Sequence, residues 1–227
     1  DDPWADEVLE YVAYSPNAGF NDPLRALGAP VGAGPNAPNN NSVVSVGTAG
    51  SYLTLGFDTP ITDDPLNPQG LDFIVYSNAF WAGGNPQAKW TEPALIAISH
   101  DDNGNGLPDD AWYYFPGSRN LGAEILPAGI PNPDPPLSGL VWNPNSLNGD
   151  PSDDQEEYDW GYAELTPTQQ EYLDNYLRPD DPFIVGLSPR SGGGDAFDIA
   201  WAVDAEGAPA EISSFHFIRI WSIIIGT

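Results

Sequence analysis

The 227 residues include no cysteine and no methionine. Without thiols the protein can neither form disulfides nor hold zinc or an iron–sulfur cluster through thiolates. Basic residues are nearly as scarce. Lys89 is the single lysine, and six Lys and Arg stand against 33 Asp and Glu, a net charge of −27. A nucleic-acid partner requires a basic face that displaces counterions, and six scattered bases do not supply one. The same charge argument excludes an anionic membrane surface. No run approaches the roughly 20 apolar residues that span a bilayer, so membrane insertion is not expected. Asp1 stands where an initiator methionine would. The expectation is a removed leader and a secreted location, extracellular or at the cell surface.

What is present is apolar surface, glycine and proline. Hydrophobic residues make up 41% of the sequence, enough for a sizeable core, and 24 Gly with 25 Pro punctuate it without a collagen period. Short alternating or apolar runs between such punctuation read as strands. They fall at residues 4–14, Ser42–Val46, Tyr52–Phe57, Leu71–Tyr76, Ala94–Ser99, Trp112–Phe115, the alternating Phe197, Ile199, Trp201 and Val203, and a long final run Phe215–Ile225. Ala94–Ser99 is apolar almost throughout, the pattern of a central strand covered on both faces. One helix is signalled at about 167–177: Thr166 caps, Pro167 takes the first helical position, Gln169 completes a capping box and Pro179 stops it. Residues from about 116 to 165 are dense in proline and lack periodicity, which reads as a loop excursion. The prediction is a single all-β domain over residues 1–227, with long Pro/Gly-rich loops and one short helix.

The strongest motif is Asp101-Asp-Asn-Gly-Asn-Gly-Leu-Pro-Asp-Asp110. Oxygen-bearing side chains recur at positions 1, 3, 5 and 9 as Asp101, Asn103, Asn105 and Asp109. Gly106 stands where a calcium loop turns sharply, and Leu107 would offer its carbonyl oxygen. Calcium takes six to eight hard oxygens at flexible distances, and this spacing wraps them around one point. Trp112 occupies the place of the final EF-hand glutamate, so Asp110 or a distant carboxylate must complete the set. The competing reading is an Asn-Gly hairpin turn that binds nothing. A protein this acidic repels itself unless cations neutralise part of it, which favours calcium as the cofactor.

Four stretches together resemble a family of secreted bacterial cell-surface proteins of unassigned function. They are Phe73-Ile-Val-Tyr-Ser-Asn-Ala-Phe80, Trp90-Thr-Glu-Pro-Ala94, Ser99–Asp110 with Trp112–Ser118, and Gly193-Gly-Asp-Ala-Phe-Asp-Ile-Ala200 with Phe217–Ile220. The resemblance implies a jelly-roll-like β-sandwich with bound calcium. Asn78, Glu92 and Asp195 match polar positions of that pattern set among apolar strands, and are candidates for a second cation site or for completing the first. The alternative for Glu92 and Asp195 is pairing with an arginine such as Arg119 or Arg219.

No nucleophile elbow, zinc-binding histidine motif or phosphate-cradling loop is present, and carboxylates are too abundant for a glycosidase pair to carry meaning, so no catalytic residue is expected. The function expected is a secreted calcium-binding structural protein. It would self-associate into an extracellular filament or surface assembly by donor-strand pairing of its terminal strands. The alternative is a carbohydrate-binding module or adhesin that stacks a polysaccharide on Trp81, Trp90 and Trp142.

Overall fold

The structure, a computed structural model, describes residues 3–48, 50–67, 70–85, 89–90, 94–115, 168, 185 and 192–222. It contains β1 (Glu7–Val12), β2 (Tyr52–Thr62), β3 (Phe73–Val75), β4 (Phe80–Trp81), β5 (Lys89–Trp90), β6 (Ala94–Ser99), β7 (Trp112–Tyr114), β8 (Asp195–Phe197) and β9 (Ser214–Ser222). Among the described residues there are short 3₁₀ turns but no α-helix, so the described part of the protein is sheet-dominated, consistent with an all-β class. The helix expected at about 167–177 and the excursion at about 116–165 lie outside the described residues, apart from Thr168.

Five strands form one antiparallel sheet in the order β1-β2-β9-β6-β7. The register decides which residues share a face, because side chains alternate along each strand. One face carries two apolar rows across the sheet: Tyr11, Leu53, Ile220 and Ile96, then Val8, Leu55, Ile218, Ile98 and Tyr113. Phe73 of β3 and Phe197 of β8, paired in a separate two-stranded ladder, pack into the same core. There Phe73 stacks on Phe197 with ring centroids 5.0 Å apart and meets Phe115 and Phe215 edge-on. These ring geometries add to the area already buried.

The other face is polar at its centre. Glu10, Thr54 and Arg219 stand in one row across β1, β2 and β9. Arg219 is ion-paired to Glu10 and donates through Nε to Thr54 Oγ1 at 2.8 Å, while the Thr54 hydroxyl donates to Glu10. The guanidinium also lies 4.0 Å from the Trp112 ring centroid, 4.7 Å from Tyr52 and 5.3 Å from Trp221. Arg219, one of the arginines considered for Glu92 or Asp195, is ion-paired to Glu10.

Ala94–Ser99 is β6, buried at all six positions, in the place its apolar run predicts. Three expectations are corrected. Ser42–Val46 is not a strand: Ser45 N–H donates to the Phe20 carbonyl and its own carbonyl accepts from the Tyr11 hydroxyl, so Val44 and Val46 reach the core from a loop. The alternation from Phe197 to Val203 is not one strand either. Asp198 accepts from Ala200 N–H at 2.8 Å and caps a 3₁₀ turn over Ile199–Trp201, which buries Ile199 and Ala202 instead. Finally, the last strand is central rather than open. Ile218–Ser222 pairs within β9 to β2 or β6, with Ile218, Arg219, Ile220 and Trp221 paired on both sides, because its apolar, β-branched character suits burial between strands. Residues 223–225 lie outside the described set. The N-terminal strand β1 pairs with β2, and a register shift between Val8 and Glu10 bends its edge.

Gly194 explains how β3 and β8 approach. Its φ is +76°, and a Cβ there would lie 2.6 Å from Ile74 Cγ2, 2.9 Å from Tyr76 Cδ1 and 3.0 Å from the Val75 carbonyl oxygen. Overpacking and the left-handed backbone each penalise a side chain. Gly194→Ala is expected to cost about 2 kcal/mol in urea unfolding; a cost within error of zero would show that the β3–β8 contact yields freely.

Candidate metal centre at the acidic end of the sheet

Strands β2 and β6 both run antiparallel to β9, and both end near its start: Thr62 pairs with Ser214, and Ser99 with Phe217. The loops that follow, 63–72 and 100–111, therefore leave the sheet at the same end. Both are acidic.

In the second loop, the carboxylate of Asp101 is the hub. It accepts from Asn105 N–H at 3.1 Å and from Gly106 N–H at 2.9 Å. These amides, Gly106 first, hold the Asp101 carboxyl below its ordinary pKa, against the opposing effect of desolvation. Asn103 Oδ1 accepts from Asn105 N–H, and Asn105 Oδ1 from Leu107 N–H. The amide nitrogens of both asparagines turn to Asp109, at 3.1 Å from each, and that of Asn103 also reaches Asp110. Hydrogen bonds thus join Asn103 and Asn105 to Asp109, Asn103 to Asp110, and the Asn105 and Gly106 amides to Asp101, with the asparagine nitrogens rather than their oxygens turned to the carboxylates. Leu107 differs: its carbonyl accepts from Asp109 N–H at 2.9 Å, and its side chain is exposed.

The two histidines of the protein meet at the foot of this loop. Asp101 N–H donates to His216 Nδ1 at 3.3 Å, and the His100 and His216 rings are 4.7 Å apart, edge to face. Burial first, and His100 second, lower the His216 pKa, with Asp101 opposing them. The lowered pKa favours the neutral ring, the form whose Nδ1 can accept from Asp101 N–H.

The first loop contains a group that spacing does not reveal. Carboxylate oxygens of Asp63, Asp72 and Asp198 lie within 4.8 Å of one another, all three partly buried. Asp72 is fixed from both sides. One oxygen accepts from Asp64 N–H and the Asn67 amide, and the other from Ile199 N–H at 2.9 Å. Asp72 N–H in turn donates to the Phe197 carbonyl, which ties the loop to the end of β8. Asp198 has a raised pKa, first through burial and then through repulsion from Asp72 and Asp63, with the Ala200 N–H opposing. Among the described residues none of the three is ion-paired with a base. A divalent cation would relieve both repulsion and desolvation, and these three aspartates could hold one.

The remaining candidates are dispersed. Asp195 is fully buried in β8 opposite Val75. It lies three residues before Asp198, about 10 Å at strand rise, and is outside the aspartate group. Asn78 accepts from Asn39 N–H at 2.8 Å, so it braces the 33–41 loop. Trp81 is half-buried in β4, with its backbone N–H bonded to the Pro35 carbonyl. Trp90 belongs to β5, while Glu92 and Trp142 lie outside the described residues. Of the two aspartates in the stretch Gly193–Ala200, the sequence reading singles out Asp195 and not Asp198. The usable signal is Asp198 followed by Ile-Ala-Trp, a cap before a short turn, but nothing in spacing joins positions 63, 72 and 198.

No protein-family model matches this sequence, and no curated protein matches it. Among the described residues no helix is long and apolar enough to cross a membrane.

Proposed function

We propose that this is a secreted, calcium-binding structural protein of the cell surface, in which the acidic end of the sheet is a cation-holding end. The observation that carries this reading is the convergence of Asp63, Asp72 and Asp198, with the Asp198 carboxyl raised by burial and by the other two. The oxygen-lined loop Asp101–Asp110 at the same end adds a second set of hard ligands. Calcium fits better than magnesium, because side chains on long loops offer many oxygens at variable distance rather than a tight octahedron. The five-stranded sheet and the β3–β8 pair that packs on it are read as the two layers of a jelly-roll-like sandwich, consistent with the family resemblance.

Self-association in this role does not use the described part of the last strand, whose residues Ile218–Trp221 are paired on both sides. Among the described residues, the outer edge of β1 is the strand edge on that side of the five-stranded sheet. It carries Glu7, Glu10 and a bulge, features that discourage pairing with a second copy.

Calorimetric titration of chelator-stripped protein with calcium tests the reading. Heat is expected from the wild type, and a loss of at least one binding event from Asp198→Asn. That substitution keeps the acceptor oxygen for Ala200 N–H but removes one charge from the group. In cation-free buffer Asp198→Asn is therefore expected to melt at or above the wild-type temperature, since it abolishes repulsion. No binding heat from the wild type at millimolar calcium would sink the proposal.

A further inference from the structure

The acidic loop contains two Asn-Gly sequences, Asn103-Gly104 and Asn105-Gly106, all four residues exposed. An asparagine followed by glycine is chemically unstable in an unstructured polypeptide. The backbone nitrogen of the glycine attacks the Cγ carbonyl carbon of the asparagine. A bond from that nitrogen to Cγ forms and closes a succinimide, the Cγ–Nδ2 bond breaks and ammonia leaves, and water then opens the ring to aspartate or isoaspartate. Glycine favours this because no side chain shields its nitrogen. Here both glycines sit at φ of about +70°, and a Cβ at either would meet nothing within 4 Å. Packing therefore does not shield these nitrogens.

Hydrogen bonding does. For attack, the glycine N–H must give up its proton, and Gly106 N–H is held at 2.9 Å by the Asp101 carboxylate. The Asn105 N–H, between the two glycines, donates to the same carboxylate at 3.1 Å. An anion that accepts from an N–H opposes its deprotonation. The leaving amides are clamped too: Asn105 Nδ2 donates to both oxygens of Asp109 and its Oδ1 accepts from Leu107 N–H at 2.7 Å. We propose that Asn105-Gly106, with Asn103-Gly104 beside it, is a spontaneous deamidation site of this protein, and that the Asp101 carboxylate holds it in check while the loop is folded. Each event adds one negative charge to a loop that already carries four aspartates.

Peptide mapping by mass spectrometry tests this on the full-length protein, incubated at mildly alkaline pH in chelator so that a bound cation plays no part. The folded wild type is expected to convert Asn105 at least about tenfold more slowly than the same protein unfolded in urea. Asp101→Ala is expected to convert about tenfold faster than folded wild type, the factor supplied by about 1.4 kcal/mol of barrier. Asp102→Ala, which removes a neighbouring charge that bonds to His100 rather than to the glycines, is expected to stay slow. A melting curve establishes that each variant is folded. If Asp101→Ala does not fold, Asp101→Asn replaces it, keeping an acceptor but no charge, and an intermediate rate is expected. Equal rates in folded and unfolded wild type would overturn the proposal, as would a folded Asp101 variant no faster than wild type.

Discussion

Arg219→Ala is expected to destabilise the fold by about 3 kcal/mol, the largest effect of any polar substitution in the described sheet. The arginine side chain is only 12% exposed, and it serves several neighbours at once. Its loss leaves the fully buried Thr54 hydroxyl without its Nε–H donor and the Glu10 carboxylate, 35% exposed, without a cation. Hydrogen bonds to charged groups contribute roughly 1.5–3 kcal/mol, and the partial exposure of Glu10 moderates its share. The stacking against Trp112, Tyr52 and Trp221 adds about 1 kcal/mol when partly desolvated. Arg219→Lys should recover little, because an ammonium has neither the planar face nor the fork. The double variant Glu10→Met with Arg219→Met should recover much of the loss, since it leaves no orphaned charge. Urea unfolding measures all four proteins. A cost of Arg219→Ala below about 1 kcal/mol would mean that the pair is screened as a surface ion pair would be.

Removing calcium is expected to lower stability by about 2.7 kcal/mol when the starting concentration is a hundred times the dissociation constant. For a protein of this size that is roughly 5–10 °C in melting temperature. The direction with pH follows from Asp198. Its folded pKa is raised above its unfolded value, so in the window above the ordinary aspartate range the folded state binds more protons than the unfolded one. Cation-free stability from this group therefore rises as pH falls through that window. Protons and calcium compete for the same oxygens, so the calcium increment shrinks over the same range and the two melting curves converge. Magnesium at equal concentration should stabilise less, and sodium chloride at equal ionic strength should not reproduce the effect, since it screens without coordinating. Identical melting curves in calcium and in chelator would remove the cation from the account.

Much of the sheet is legible in the residues because the relevant signals are local. Ala94–Ser99 is apolar almost without interruption and forms a strand buried on both faces. Tyr52–Phe57 and Trp112–Tyr114 likewise fall within strands, and the loop Asp101–Asp110 closes on itself through short-range hydrogen bonds. Alternation misleads where a side chain overrides it. Asp198 caps a turn and redirects Phe197–Val203, and Ser45 is held in a loop by its bonds to Phe20 and Tyr11. The position of the last strand is also hidden, since an apolar β-branched run looks the same at an edge and at the centre of a sheet.

The strand-rich class, the acidic character and the closed loop from Asp101 to Asp110 are written in the residues alone, because composition, period two and i to i+8 spacing are properties of neighbouring residues. Three features emerge only from the folded arrangement. It placed β9 between β2 and β6, paired Arg219 with Glu10 across 209 positions, and gathered Asp63, Asp72 and Asp198 within 4.8 Å. Each depends on strand order and register. Those are fixed by which apolar rows bury together across the whole sheet, not by any one stretch of residues read alone.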